Sequence, residues 1–296
     1  MAMAGKIQIP EGLKQDLPPN HWGKILGATP IVMTVIATML AGLASSEMTR
    51  AQYDRSLAAQ LQSKAGDQWG YYQAKKVRSA LAQDTLDLLA ATGDLAPLPA
   101  SALSNANPAA IAALVKNQLP DATPVKFPDD VQAALKLVED SRPETEISAA
   151  LARVPPAALA ACLREALNAA QAFDKAIKPI SQTADSKDSW TTADKGLFRS
   201  FTAARLRYTV ARYDRESRLN LTVAEIYELQ VRQNNDSAER HHARSGKFFF
   251  GMLAAQLAVI VSTFAMAARQ HSFLWSLAAA AGAGAVAFSV YVYLCV

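Results

Sequence analysis

Hydrophobic positions along this chain form three long unbroken runs, Ile25–Ala44, Phe248–Ala267 and Phe273–Val296, none with a charged side chain. A helix needs about 20 apolar residues to span the hydrocarbon of a bilayer, so each run predicts a transmembrane helix. The region between the first and second runs has a different pattern. Ser46–Leu89 lacks proline, and Tyr53, Leu57, Leu61, Ala65, Trp69, Tyr72 and Leu81 recur at helical spacing against a polar opposite face. The spacing predicts a helix that continues the first run without a break, about 60 Å long at ~1.5 Å per residue. Gly66 and Gly70 weaken it by about 1 kcal/mol each relative to alanine and offer room for a neighbouring helix beside Trp69.

The character changes at Gly93. Residues 93–156 hold nine of the fourteen prolines, which breaks the chain into short pieces. Helices are expected at Pro108–Gln118, Asp129–Glu139 and Glu144–Arg153, each opened by a suitable cap or first-turn residue, and a longer one at Pro156–Lys178. A Ser-, Asp- and Thr-rich loop follows at Ser181–Asp194. A second long helix then runs from Lys195 to Lys247 and feeds into the second apolar run, with Phe198, Phe201, Tyr208, Leu219, Ile226 and Leu229 at its apolar positions.

The expected fold is an all-α integral membrane protein with three transmembrane helices and a long antiparallel helical stalk capped by short helices. Its expected parts are a tail over 1–24, a transmembrane helix over 25–45, a helical extramembrane domain over 46–247, and transmembrane helices two and three over 248–296. Within the extramembrane domain the stalk comprises 46–92 and 195–247, and the tip 93–194. Trp22 and Lys24 suit an interfacial anchor, and Pro30 is tolerable in the first turns of a span starting at Ile25.

Composition sharpens this only in places. Alanine dominates and β-branched runs outside the spans are scarce, which favours helix throughout. The net charge of +4 reads as juxtamembrane Lys and Arg rather than a nucleic-acid surface. Cys162 and Cys295 sit in unlike settings, so no disulfide framework is expected, and Cys295 is misplaced for a prenylation box. The first apolar run follows Pro10, Pro18 and Pro19 and exceeds a usual signal core, so it is expected to be retained. Small residues at Ala41–Ser46 leave cleavage as the minor alternative.

Small residues line one face of each apolar run. They are Gly251, Ala255, Ala258, Ser262 and Ala265 in the second, Ser276, Ala280, Ala283 and Ala287 in the third, and Gly27, Pro30, Thr34, Ala37, Ala41 and Ser45 in the first. Close helix packing in lipid is the favoured reading, over mere abundance of alanine. Gln256 and Thr263 in the second run, and Thr34 and Thr38 in the first, are explained more simply by interhelical hydrogen bonds than by a pore lining. Coupled transport normally needs ionisable groups at depth, which these runs lack. Orientation stays open. Arg50, Arg55, Lys64, Arg232, Arg240, Arg244 and Lys247 flank the body, against Lys6, Lys14, Lys24 and Arg269 on the other side, but long domains translocate largely regardless of charge.

Candidate chemistry is sparse. Glu239-Arg240-His241-His242 carries adjacent histidines about 100° apart on a helix, a poor arrangement for one ion, and a solvated juxtamembrane face is favoured. Arg199, Arg205, Arg207, Arg212, Arg215 and Arg218 are interleaved with Asp214 and Glu216. They read as a salt-bridged face partly paired with the first stalk helix rather than a nucleic-acid strip. Neither a phosphate loop, nor zinc spacing, nor a nucleophile elbow is present, so no cofactor, metal or enzymatic activity is expected.

The most distinctive stretch is Asp67-Gln68-Trp69-Gly70-Tyr71-Tyr72-Gln73-Ala74-Lys75. It resembles the D-Q-W-x-Y-Y-Q-A-K signature of an uncharacterised family of bacterial membrane proteins, known only as a domain of unknown function. The resemblance covers 25–92 and 195–296, where His241-His242 and the Arg269 turn before Phe273, Leu274 and Trp275 are also similar. The part 93–180 is much less family-like. The resemblance implies the span layout, a bacterial inner-membrane location and, through a basic turn between the last two spans, a periplasmic body. Physically, Trp69, Tyr72 and Lys76 share a helical face, with Asp67, Gln68 and Gln73 beside it. Such residues suit a joint with the returning helix near Tyr208–Arg218, or alternatively a partner surface. The expected function is a non-enzymatic membrane-anchored scaffold or accessory subunit that self-associates or binds a membrane complex. The alternative is an oligomeric passive pore or membrane-perturbing effector.

Overall fold

The computed structural model describes residues 21–103, 107–121, 125–186, 194–267 and 271–295. Residues 1–20 of the expected tail over 1–24, part of the expected loop at 187–193 and the turn at 268–270 lie outside the described residues, whereas residues 21–24 of that tail are helical. Among the described residues the chain is helical, with α1 (His21–Ala91), α2 (Pro108–Lys116), α3 (Asp129–Glu139), α4 (Glu144–Leu151), α5 (Pro156–Ser186), α6 (Lys195–Ala267) and α7 (His271–Cys295), plus a 3-10 turn at Ala100–Leu103. The first two apolar runs each continue into a long helix. Because α1 begins at His21, Pro30 lies in its interior rather than in its first turns. Residues 181–186, expected in a loop, extend α5.

The chain divides into two compact units, one of residues 1–55 and 236–296 and the other of residues 56–235. In the first unit the apolar parts of α1, α6 and α7 pack through small residues. Ala37, Leu40 and Ala44 of α1 meet Phe248 and Ala255 of α6 and Ala285 and Val292 of α7. Gly251, Ala255, Ala258, Ser262 and Ala265 form the buried face of α6. The small-residue stripe expected on α7 is corrected. Ser276, Ala280, Ala283 and Ala287 are exposed, and the buried positions are Ala278, Gly282, Ala285, Ser289 and Val292. The two stripes differ by two residues, about 200° around a helix, so they lie on nearly opposite sides.

Large apolar side chains point outward on the same helices: Val35 and Met39 on α1, Leu257, Ile260 and Phe264 on α6, Val290 and Leu294 on α7. Burying the small residues and exposing the large ones reverses the order of a core formed in water. Two helices, over Gly27–Ala91 and Lys195–Ala265, are long and apolar enough to cross a membrane. The described apolar part of α7, Ser276–Val292, is shorter.

Close approach has two sharp points: Gly282, where a Cβ would collide with the flexible Met33 side chain, and Gly251. A Cβ at Gly251 would stand 2.9 Å from Ser289 Oγ, 3.4 Å from Leu40 Cδ1 and 3.9 Å from the Ala285 carbonyl oxygen. A Gly251→Leu chain is therefore expected to lose about 1–3 kcal/mol of helix packing, the range for overfilling a tight contact, read as a lowered thermal midpoint by circular dichroism in detergent.

In the second unit α1 and α6 run antiparallel and in register. Trp69 bonds Glu228, Lys76 bonds Asp214, and Ser79 Oγ donates to the Val210 carbonyl at 3.3 Å. On α1 here Leu57, Trp69 and Lys76 are half-buried beside a stripe of buried or half-buried positions, Ala58, Leu61, Ala65, Gln68, Tyr72, Lys75, Ser79, Ala82, Leu86 and Leu89. The stripe positions alternate three and four apart, the spacing that keeps one helix face toward a neighbour. Small residues at several of them let the backbones approach closely enough for a serine to reach the facing carbonyl. The face expected from Tyr53 and Leu81 is corrected, since both are exposed. Gly66 and Gly70 admit no close neighbour either: a Cβ at either position would meet nothing within 4 Å.

The opposite side of α6 carries the short helices. Val223, Ile226 and Leu229 pack with Val131 and Ala134 of α3, Ile147 and Leu151 of α4, and Leu159 and Ala166 of α5. Phe201, Ala204 and Tyr208 pack with Ala110 and Leu114 of α2 and with Phe173, Ile177 and Ile180 of α5. Local chemistry sets the element starts. The Asn107 side chain accepts a hydrogen bond from the Ala109 amide at 2.9 Å with Pro108 in the first turn, and Asp129 and Asp130 occupy the first turn of α3.

Candidate functional site

The distinctive stretch of α1 sits in the second unit against α6. Trp69 Nε1 donates to Glu228 Oε1 at 2.6 Å, and its ring meets Tyr72 edge-on, with centroids 5.6 Å apart at 86°. Lys75 bonds Glu216, which is only 4% exposed and also accepts from Arg212 Nε at 2.6 Å. Lys76 Nζ lies 2.7 Å from Asp214 Oδ1, and Arg218 holds the other oxygen of that carboxylate at 2.8 Å. The Tyr213 ring lies under Lys75 and Arg212 at 5.1 and 5.4 Å. Lys76 and Tyr72 thus face the joint, and Trp69 reaches further along α6 than the Tyr208–Arg218 stretch. Gln68 is half-buried, whereas Asp67 and Gln73 are exposed.

Beside this network a groove of about 320 Å³ opens between α1, α5 and α6. Gln68, Tyr71 and Lys75 line it from α1, Asp174 from α5, and Glu216 and Asn220 from α6. Burial first, and then the neighbouring Glu216, raise the Asp174 carboxyl above its ordinary range. The hydrogen bond from Lys76 holds Asp214 below its own. Burial pushes the Tyr208 hydroxyl up; its oxygen is 2.9 Å from Ser181 Oγ, which also accepts from Arg212 Nη1 at 2.9 Å. Further along α6, burial together with Glu139 and Glu228 pushes the Glu225 carboxyl up to about 7. Burial also raises the Cys162 thiol.

Arg199, at the start of α6, closes the end of α1. Its guanidinium donates to the Leu89 carbonyl, to the Gly93 carbonyl at 2.9 Å and to Thr92 Oγ1 at 3.1 Å. Those carbonyls belong to a helix end that lacks intrahelical donors. Gly93 has φ of 151°, and a Cβ there would stand 3.2 Å from Arg199 Nη2. Gly93→Ala is expected to destabilise by about 1–3 kcal/mol through backbone strain, and Arg199→Met by about 0.5–1.5 kcal/mol, the net worth of hydrogen bonds to carbonyls that water can reach. Urea titration followed by circular dichroism measures both.

In the first unit His241 is corrected from a solvated residue to a paired one. Its Nδ1 lies 2.5 Å from Glu47 Oε2 and its Nε2 lies 4.0 Å from Asp54 Oδ2, one turn from a hydrogen bond of Ser245 Oγ to the Ala44 carbonyl at 2.7 Å. His242 is exposed. Among the described residues no group of three His, Cys, Asp or Glu side chains has a metal-holding arrangement.

Sequence reasoning missed Glu228, Glu225, the Arg199 cap and the Glu47–His241 pair. Their partners lie up to 194 residues away in the chain, and no local pattern sets that register. The one available signal was the spacing of seven among Ala58, Ala65, Tyr72 and Ser79, read against the same spacing in Ala203, Val210, Ser217 and Ala224.

Among the described residues, fold and site together define a helical protein in which two helices are long and apolar enough to span a membrane, or three if α4 and α5, bent by 94°, count as one span. Residues 22–137 are similar to a family described as a domain of unknown function (DUF4337). That match ends inside α3. It therefore takes in part of the proline-rich segment expected to be less family-like and stops short of α6 and α7. No curated protein and no solved structure matches the chain.

Proposed function

We propose that this chain is a non-enzymatic, membrane-anchored helical scaffold or accessory subunit of a bacterial inner membrane. In this reading α7 is a third span, and within the second unit the short helices pack along the side of α6. One observation carries it: Ala37 of α1, Gly251, Ala255 and Ala258 of α6 and Ala278 and Ala285 of α7 are buried, while Met39, Leu257, Phe264 and Val290 face outward. Lipid is the solvent in which that arrangement is favourable. The signature residues support a structural role, because Trp69, Lys75 and Lys76 are all bonded to carboxylates of α6. Ala280 and Ala283, left uncovered on α7, are free to meet another chain.

Carbonate washing of membranes tests the anchor, and ion flux into proteoliposomes tests the inert role. The protein is expected to stay in the pellet and to leave the vesicles impermeable to small ions. Release into the wash would remove the anchor, and ion leakage would favour a pore.

A further inference from the structure

Five hydroxyl groups within the apolar segments bond carbonyls of their own helices. Thr34 Oγ1 donates to the Pro30 carbonyl at 2.8 Å, Thr38 Oγ1 to Thr34 at 2.9 Å, Ser262 Oγ to Val259 at 2.9 Å, Thr263 Oγ1 to Val259 at 2.8 Å and Ser289 Oγ to Ala285 at 2.6 Å. Gln256 has no hydrogen-bond partner among the described residues, and its side chain is exposed on α6. It lies eight residues into the run Phe248–Ala267, close to the middle of a span. A headgroup is then about 15 Å away, half the hydrocarbon thickness and beyond the reach of a glutamine. An unpaired carboxamide at that depth loses several kcal/mol of hydrogen bonding relative to water.

A carboxamide carries both donors and acceptors, so two of them facing each other satisfy one another. Copies of one chain in one membrane bring α6 side by side and parallel, with Gln256 at the same depth in each. The surrounding face is apolar and uncovered: Phe249, Leu253 and Ile260 flank Gln256 at helical spacing and are all exposed. We infer that a second copy of this chain docks on this face of α6, about a two-fold axis, through reciprocal Gln256–Gln256 hydrogen bonds. This inference rests on the membrane reading above and names the partner that reading leaves open. It also accounts for a polar residue that makes no interhelical bond within the chain. The isologous arrangement places Leu253 against Leu253 and Ile260 against Ile260.

The test is single-molecule photobleaching of labelled full-length protein in lipid vesicles, at protein-to-lipid ratios spanning the association. Wild type is expected to bleach in two steps. Gln256→Leu, which removes the polar group without adding charge, is expected to weaken association about three- to thirty-fold, while Gln256→Asn retains most of it. Leu253→Cys and Ile260→Cys are each expected to form disulfide-linked dimers in the membrane, and Phe250→Cys, on another face, to form few. Single-step bleaching of the wild type, or association indifferent to Gln256→Leu, would overturn the inference. Carbonate washing of the same samples separates the two failures. A monomer that remains in the pellet sinks only the pairing, whereas a protein released into the wash sinks the membrane reading itself.

Discussion

Glu216→Ala is expected to destabilise the second unit by about 3 kcal/mol, with the midpoint of urea unfolding shifted accordingly. Glu216 is 4% exposed and holds both Lys75 and Arg212, so alanine leaves two cations in the joint without their carboxylate. Breaking a buried pair by removing one partner typically costs about 3–5 kcal/mol, and the lower end applies because Lys75 and Arg212 retain partial contact with water. Glu216→Gln separates charge from shape: it keeps the volume and an acceptor, and is expected to lose less than alanine. Equal stability of Glu216→Ala and wild type would mean that the network contributes nothing to holding α1 against α6.

Glu225→Gln is expected to stabilise the protein above neutral pH and to change little in acid. The carboxyl of Glu225 is raised from its ordinary 4.5 to about 7 by burial and by Glu139 and Glu228. Between those two values the folded chain keeps a proton that the unfolded chain has lost. The stability linked to this group is thus complete below about pH 4.5, falls as pH rises and is gone above about pH 7. At about 1.4 kcal/mol per pKa unit, reduced for partial solvent screening, the charged form weakens the fold by about 2 kcal/mol. Glutamine stays neutral throughout. The difference in thermal midpoint between variant and wild type should be several degrees at pH 8 and near zero at pH 4.5. A difference that does not change with pH would place the effect in packing rather than in the proton.

Much of the architecture is legible in the sequence because its signals are local. Pro108, Asp129, Glu144 and Pro156 mark helix starts by their own chemistry, and the structure begins α2, α3, α4 and α5 at those residues. The absence of proline from Ser46 to Leu89 is likewise enough for one long helix. The faces were harder. On α6 the bulky Phe249, Phe250, Leu253 and Leu257 outline the small stripe by contrast. On α7 alanine or glycine fills every position from Ala278 to Ala285, so several stripes look equally small and only packing selects Ala278, Gly282 and Ala285. On α1 the inner face is masked by polar residues at Gln68, Lys75 and Ser79, and Lys75 and Ser79 find their partners on α6. The aromatic and aliphatic residues Tyr53 and Leu81, which carry a stronger hydrophobic signal, face outward. The site follows the same rule. Trp69 stands out as a residue, but Glu228 becomes its partner, and Glu216 that of Lys75, only once the antiparallel register is set.

Oxygen accessibility of single nitroxide labels tests the central claim most directly. Labels at Met39, Leu257 and Val290, in protein reconstituted into vesicles without its native cysteines, should be accessible to molecular oxygen and protected from a water-soluble nickel complex. Labels at Tyr53 and Leu81 should show the reverse. Equal access of the nickel complex to all five positions would contradict the account, because those apolar side chains would then face water.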